Sequence, residues 1–232
     1  MILRVIDTET CGFAPDNQIV EVGTVDLRVD EAEGTIEKGR VWSSLVNPGR
    51  GIPAEASGCH HITDEMVRNA PQIGELALTI WDGADIYAAH NAIFDRGAFH
   101  ASGVSTDGES WVCTYKGAVV VWPQAPSHKN SVLRYWLGLE LADEPGAPHR
   151  ALGDAYVTAA LARRILRMGA FDIEGWLAIS AHPVMLPRFH FGEHAGKPVR
   201  EIPASYLEWI CFKSKGPWDP NVIHTARTLL GR

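Results

Sequence analysis

Residues 2–10 read Ile-Leu-Arg-Val-Ile-Asp-Thr-Glu-Thr, a strand pattern that starts apolar and carries two carboxylates, Asp7 and Glu9, near its end. Side chains two apart on a strand share a face. Any fold that buries this strand in a sheet therefore brings two like charges together at one strand end. Such charges repel, and burial adds to the penalty. The pair is relieved either by solvent, where the strand runs out into a polar turn closed by Gly12, or by positive charge held between the two acids.

Two further stretches bear on that choice. HNAIFD, residues 90–95, places Asp95 just past an expected strand end, at or near a helix start. HRALGD, residues 149–154, places Asp154 at the mouth of an alanine-rich helix, with His149 five residues earlier. Five residues turn a helix by about 500°, which would part the two side chains. Pro145, Gly146 and Pro148 put His149 on the preceding loop instead, free to swing over a site anchored by Asp154. Taken singly, Asp95 is a solvated helix-start acid and His149 a surface loop residue. Taken together, four carboxylates at strand and helix ends are what hard cations require, since Mg²⁺ takes oxygen ligands and shares itself between protein and substrate phosphate. Two such ions about 3.5–4 Å apart stabilise attacking and leaving oxygens in a phosphoryl displacement. A histidine near its ordinary pKa accepts the proton of the attacking water.

The remaining composition sets the frame. A chain of 232 residues suits one large domain, or one domain with an appendage. No run of about eighteen apolar residues and no basic-then-apolar leader is visible, so the expectation is a cytoplasmic protein with no membrane association. The four cysteines form no Cys-x-x-Cys pair and read as scattered buried thiols, not a disulfide framework or zinc site. Net charge is -7, but unevenly spread: 14 Lys+Arg against 22 Asp+Glu up to residue 170, and 7 against 6 beyond it. The chain lacks a broad cationic track, so its grip on long nucleic acid is expected to be weak or local. An acidic body still hydrolyses phosphodiesters when its acids hold divalent metal.

Strand patterns at 2–10, 18–29 and 40–46, with short connections, predict an antiparallel meander. Strands at 85–89 and 111–114 then alternate with helices at 74–81, 94–101, 131–137 and 152–168, and Thr63 caps a short helix. That order predicts a mixed sheet covered by helices on both faces. Residues 169–187 are expected to be a linker with a short helix, and 188–232 a small module docked on the body.

The motifs IDTET, HNAIFD and HRALGD resemble those of the DEDDh exonucleases, and the likeness runs over nearly the whole chain, through WVCTYKGAVVVWP to FHFGEHAGKPV. The resemblance implies an α/β ribonuclease-H-like fold, a mixed five-stranded sheet flanked by helices, with an exonuclease domain at 1–168 and the C-terminal module as an accessory. It implies release of 5′-mononucleotides from DNA 3′ ends, single-stranded or duplex, with two Mg²⁺ or Mn²⁺ ions. Asp7, Glu9, Asp95 and Asp154 are the implied metal ligands, Asp7 shared between both ions, and His149 is the implied general base. The sister branch has a tyrosine four residues before Asp154, where this chain has Arg150.

By the same resemblance, the loop of His60 and His61 lies near the terminal nucleotide and Asn91 beside the scissile one; Thr10 and Phe13, where the chain leaves the catalytic strand, are read as further substrate contacts. The family's His-Gly-Ile-Thr is here His60-His61-Ile62-Thr63, so His61 either donates to a phosphate or stands solvated in its loop. Asn91 either meets the scissile nucleotide through its amide or caps the helix that follows. Phe13 either stacks on the last base or folds back into the local core. In the C-terminal module, Glu193 takes the place of the lysine in the family's Phe-Gly-Lys, leaving Lys197, Arg200, Lys213 and Lys215 as candidate phosphate contacts. Trp209 is expected in the core, and His190, Glu193 and His194 make an incomplete set for zinc. RNA is the alternative substrate, distinguished through its 2′-hydroxyl. A non-catalytic nucleic-acid-binding subunit on a retired nuclease fold is the further rival, and retired sites normally lose a ligand. No motif names a protein partner.

Overall fold

The computed structural model describes residues 1–30, 32–141, 149–216 and 218–232. Its strands are β1 (Ile2–Thr10), β2 (Ile19–Asp30), β3 (Thr35–Leu45), β4 (Ile86–Ala89) and β5 (Trp111–Cys113). The helices are α1 (Ala54–His60), α2 (Asp64–Val67), α3 (Ala77–Trp81), α4 (Ala92–Ala101), α5 (Thr114–Val121), α6 (Asn130–Trp136), α7 (Ala151–Met168), α8 (Ile173–Ala181), α9 (Ala204–Glu208) and α10 (Pro220–Leu229). The strands form one sheet in the order β3-β2-β1-β4-β5. β1, β2 and β3 make the expected antiparallel meander, while β4 and β5 run parallel to β1.

Alternation along β1 sorts the core into two layers. Leu3 and Val5 join Val25, Leu27 and Ala88 beneath α7. That helix turns a stripe of small residues, Ala155, Ala159 and Ala162, to the sheet, with Leu161 and Ile165 filling the gaps. Ile6 points the other way, into Ile80, Tyr87, Ala98, Phe99 and Trp111 beneath α3 and α4. β1 is less apolar than its sequence reads, because Arg4 is buried at 3% exposure. Its guanidinium forks onto Asp26, the residue opposite it in β2, at 2.7 and 2.8 Å, and also donates to the Ile80 carbonyl at 2.7 Å.

Several elements differ from the sequence-based expectation. The strand read to Thr114 ends at Cys113, because α5 begins at once and buries Ala118 and Val119; this helix was not expected. α1 was not expected, since Gly58 interrupts its helical pattern. The short helix expected within residues 169–187 is α8, and it packs on the body. Trp176 of α8 is fully buried and donates from Nε1 to the Cys113 carbonyl at 3.1 Å, while Ser180 Oγ accepts from Cys113 N–H at 2.8 Å. β5 is an edge strand with open backbone groups, and α8 satisfies them, which draws the segment into the body.

From Val184 onward a separate apolar cluster includes Phe189, Val199, Leu207, Ile210 and Val222, and joins the body through Val119 of α5. Trp209 is not in that core: it is 40% exposed. His194 instead sits in the module at 9% exposure, paired with Glu193 at 3.0 Å. All four cysteines are free; Cys11 and Cys113 are buried, but Cys59 is exposed, contrary to the reading of buried thiols. Among the described residues no helix is long and apolar enough to cross a membrane.

Candidate active site

β1 delivers Asp7 and Glu9 on its α7 face, and the first turn of α7 delivers Asp154. One carboxylate oxygen from each lies within 4.8 Å of the other two. Among the described residues this is the only such group of three or more acids, histidines or cysteines. Asp95 arrives from the other side, in the first turn of α4. It is 3% exposed and accepts from Thr8 Oγ1 at 2.8 Å, the β1 side chain between the two acids. Three of the four predicted ligands thus converge closely, and the fourth is held one step outside that triangle.

The electrostatics match the crowding. Burial, then Asp95, Asp154, Glu9 and Glu21, raise the Asp7 pKa well above the carboxylate range. Burial, then Asp154, Glu21 and Asp95, push Glu9 up to about 8, against a downward pull from Arg150. Burial raises Asp95 to about 7, opposed by the Thr8 hydrogen bond. Asp154 is raised by burial and eased down by His149 and Arg134. Acidic oxygens gathered this way, with no cation of the chain inside the group, fit hard divalent ions.

His149 stands immediately before α7, exposed and close enough to act electrostatically on Asp154. Pro145, Gly146 and Pro148, which the sequence reading used to place it on a loop, lie outside the described residues. Its φ is 58°, and among the described residues the other two non-glycine residues at positive φ are His61 at 60° and Asn91 at 68°. Such backbone is uncommon outside glycine, and among the described residues it falls only on three loops expected at the site.

The rim residues sort out as follows. Phe13 is 84% exposed, in a T-shaped contact with Phe94, so it does not fold into the core. Thr10 is buried and donates from Oγ1 to the Gly12 carbonyl at 2.8 Å, which fixes the turn that presents Phe13. Asn91 is exposed and makes no side-chain cap bond to α4, so the capping alternative falls. His90 beside it is locked: Nε2 donates to the His128 carbonyl at 2.8 Å and Nδ1 accepts from Thr114, while burial lowers its pKa to about 4. His61 is exposed in the left-handed position that ends α1, where a glycine would sit without strain. His60, expected beside the substrate, is 2% exposed; its Nδ1 accepts from Ile62 N–H at 3.0 Å, so it braces the loop from inside.

Sequence reasoning missed three supports of this site. Glu21, the third residue of β2, pairs in register with Glu9 and binds Arg150. Gly23 lets the start of α7 rest on β2, since a Cβ there would stand 2.4 Å from Leu152 N. Asn130 of α6 donates to the Asp154 carbonyl at 3.3 Å and to Thr158 at 2.9 Å. An acid interrupting the apolar run Ile19-Val20-Glu21-Val22 was the one available signal.

A five-stranded mixed sheet with acids at the end of β1 and at the starts of α4 and α7 is the arrangement of an exonuclease. A family model described as Exonuclease (RNase_T) matches residues 5–162, and the chain belongs to that family: it is a divalent-metal-dependent 3′–5′ exonuclease. Over 233 residues it is 36% identical to Exodeoxyribonuclease 10 of Escherichia coli (strain K12), covering 99% of each chain. It is also similar to the solved structure of Exonuclease X in complex with 5′ overhanging duplex DNA, at 35% identity and a TM-score of 0.66, over 77% of this chain and 99% of that one. The nuclease domain of 3′hExo, a DEDDh family member bound to rAMP, shares the fold at 20% identity and a TM-score of 0.56, over 72% of this chain and 92% of that one.

Proposed function

We propose that the substrate is the 3′ end of DNA, that the ions are Mg²⁺ or Mn²⁺, two per site, and that the products are 5′-mononucleotides. The full-length similarity to Exodeoxyribonuclease 10 and the DNA-bound Exonuclease X structure support DNA. The observation that carries the mechanism is the convergence of Asp7, Glu9 and Asp154, with His149 close enough to act electrostatically on Asp154. Asp7, Glu9, Asp95 and Asp154 would hold the ions, which supply Lewis acidity and neutralise charge on the scissile phosphate.

The chain's own residues do the rest. His149 takes the proton of the attacking water, its exposed loop position letting it reach the phosphate and then return the proton to solvent. Asn91 offers its amide to the terminal nucleotide and His61 offers a ring N–H to a phosphate oxygen. Phe13 stacks on the last base. The C-terminal module serves as an accessory to the body at 1–168, and the protein works in the cytoplasm.

Single-stranded DNA labelled at its 5′ end and incubated with Mg²⁺ tests this reading on a sequencing gel. The wild-type protein gives a ladder shrinking from the 3′ end, and His149→Ala loses it. Cleavage of RNA but not DNA would overturn the substrate assignment. Equal ladders from both proteins would remove His149 from its role.

A further inference from the structure

Glu21 is 4% exposed, and groups from the far end of the chain saturate both its oxygens. Arg150 Nε donates to Oε1 and Oε2 at 3.1 and 2.9 Å, Arg150 Nη2 donates to Oε1, and the Ala151 N–H donates to Oε2 at 2.9 Å. Two residues further along β2, bare backbone at Gly23 receives Leu152. β2 therefore presents a seat for residues 150–152, a carboxylate clasp at one end and close backbone contact at the other. His149 comes directly before the clasp, in left-handed backbone, and has no side-chain hydrogen bond among the described residues. Among the described residues no hydrogen bond fixes the direction of its imidazole, which acts on Asp154 through charge. The fixed point is one residue away.

We propose that the Glu21–Arg150 pair positions His149: the clasp anchors the backbone at residue 150 and so sets where the imidazole stands over Asp7, Glu9 and Asp154. This rests on the reading of His149 as the general base. Arg150 suits the role because a planar guanidinium held by two parallel bonds resists rotation, which a lysine ammonium on a single point of contact does not. Glu21 suits it because one carboxylate grips side chain and backbone together, coupling β2 directly to the first residue of α7. Proton transfer is sensitive to this kind of placement, and a misplacement of about 1 Å lowers rates by as much as about 10²-fold. Arg150 is then a positioning residue that never meets the substrate.

The test is a double-mutant cycle on 5′-labelled single-stranded DNA at saturating Mg²⁺, with wild type, His149→Ala, Arg150→Ala and the double variant, each also followed by thermal melting. The inference expects Arg150→Ala to lower kcat by about tenfold or more with KM within about twofold, and to add less than about twofold in the His149→Ala background. Arg150→Lys keeps the charge, loses the fork, and is expected to be nearly as slow; it also stands in if Arg150→Ala fails to fold. A loss of the same factor with and without His149 would overturn the proposal, because Arg150 would then act through the metal site or the fold. Unchanged kcat in both Arg150 variants would overturn it too. A His149→Ala protein as fast as wild type would instead bring down the base assignment on which the proposal stands.

Discussion

Phe13 is presented to solvent by a turn that Thr10 closes, and its ring makes a T-shaped contact with Phe94. Stacking of a base on an exposed aromatic is worth about 1–3 kcal/mol. Phe13→Ala is therefore expected to raise KM for single-stranded DNA by roughly five- to 150-fold while kcat changes little. An unchanged KM would show that the ring does not touch substrate. At this scale the sequence displayed the chemistry better than its supports. Asp7, Glu9, Asp95, His149 and Asp154 announce themselves through short-range motifs. Glu21 and Arg150 do not, because the partners are 129 residues apart and each alone looks like an ordinary surface charge. Arg4 and Asp26 hid in the same way inside a strand read as apolar. His60 was misplaced for a related reason: a loop histidine reveals in sequence neither its burial nor the Ile62 N–H that it accepts.

At the scale of elements, the first turn of α7 has to lie almost on the backbone of β2 for Asp154 to reach β1. Gly23 makes that approach possible, and the atoms a Cβ would strike are backbone atoms of Ala151 and Leu152, which cannot rotate aside. Gly23→Ala is expected to destabilise by about 1–3 kcal/mol, lowering the melting temperature by about 2–4 °C per kcal/mol, and to reduce kcat in the same protein. Normal melting and normal turnover would show that the helix start tolerates displacement. Strands and long helices were legible because their hydrophobic period is regular over many residues. α5 was not, because it carries β-branched residues at helical positions. The helix α8 was expected, but not its docking, which depends on the open edge of β5 giving Trp176 and Ser180 something to cover.

For the whole molecule, the acid cluster makes metal loading and stability one problem. Glu9 lies near 8 and Asp95 near 7 in the folded protein, against ordinary values of 4.5 and 3.8. With folded pKa values raised, the native state holds more protons than the unfolded state across that window. Stability of the metal-free protein must then fall as pH rises from about 3.8 to about 8, with the penalty absent well below that range and complete above it. Divalent metal displaces those protons and lifts the penalty, so its effect grows with pH. Thermal melting in EDTA is expected to give a higher midpoint near pH 5.5 than near pH 8.5, and Mg²⁺ to raise the midpoint more at the higher pH. A metal-free midpoint that is flat or rises over that range would contradict the electrostatics described here. Net charge alone gave no hint of this, since -7 describes the surface and the cluster together.

The clasp between β2 and the start of α7 also has a consequence during synthesis. A ribosome has made Asp7, Glu9 and Asp95 long before it reaches His149 and Asp154, and the contact that joins the halves spans 129 residues. Chains emerge N-terminus first, and long-range contacts form late. A nascent chain therefore carries an incomplete set of acids and no proton acceptor for most of its time on the ribosome. It becomes able to cut nucleic acid only once α7 has left the exit tunnel and docked.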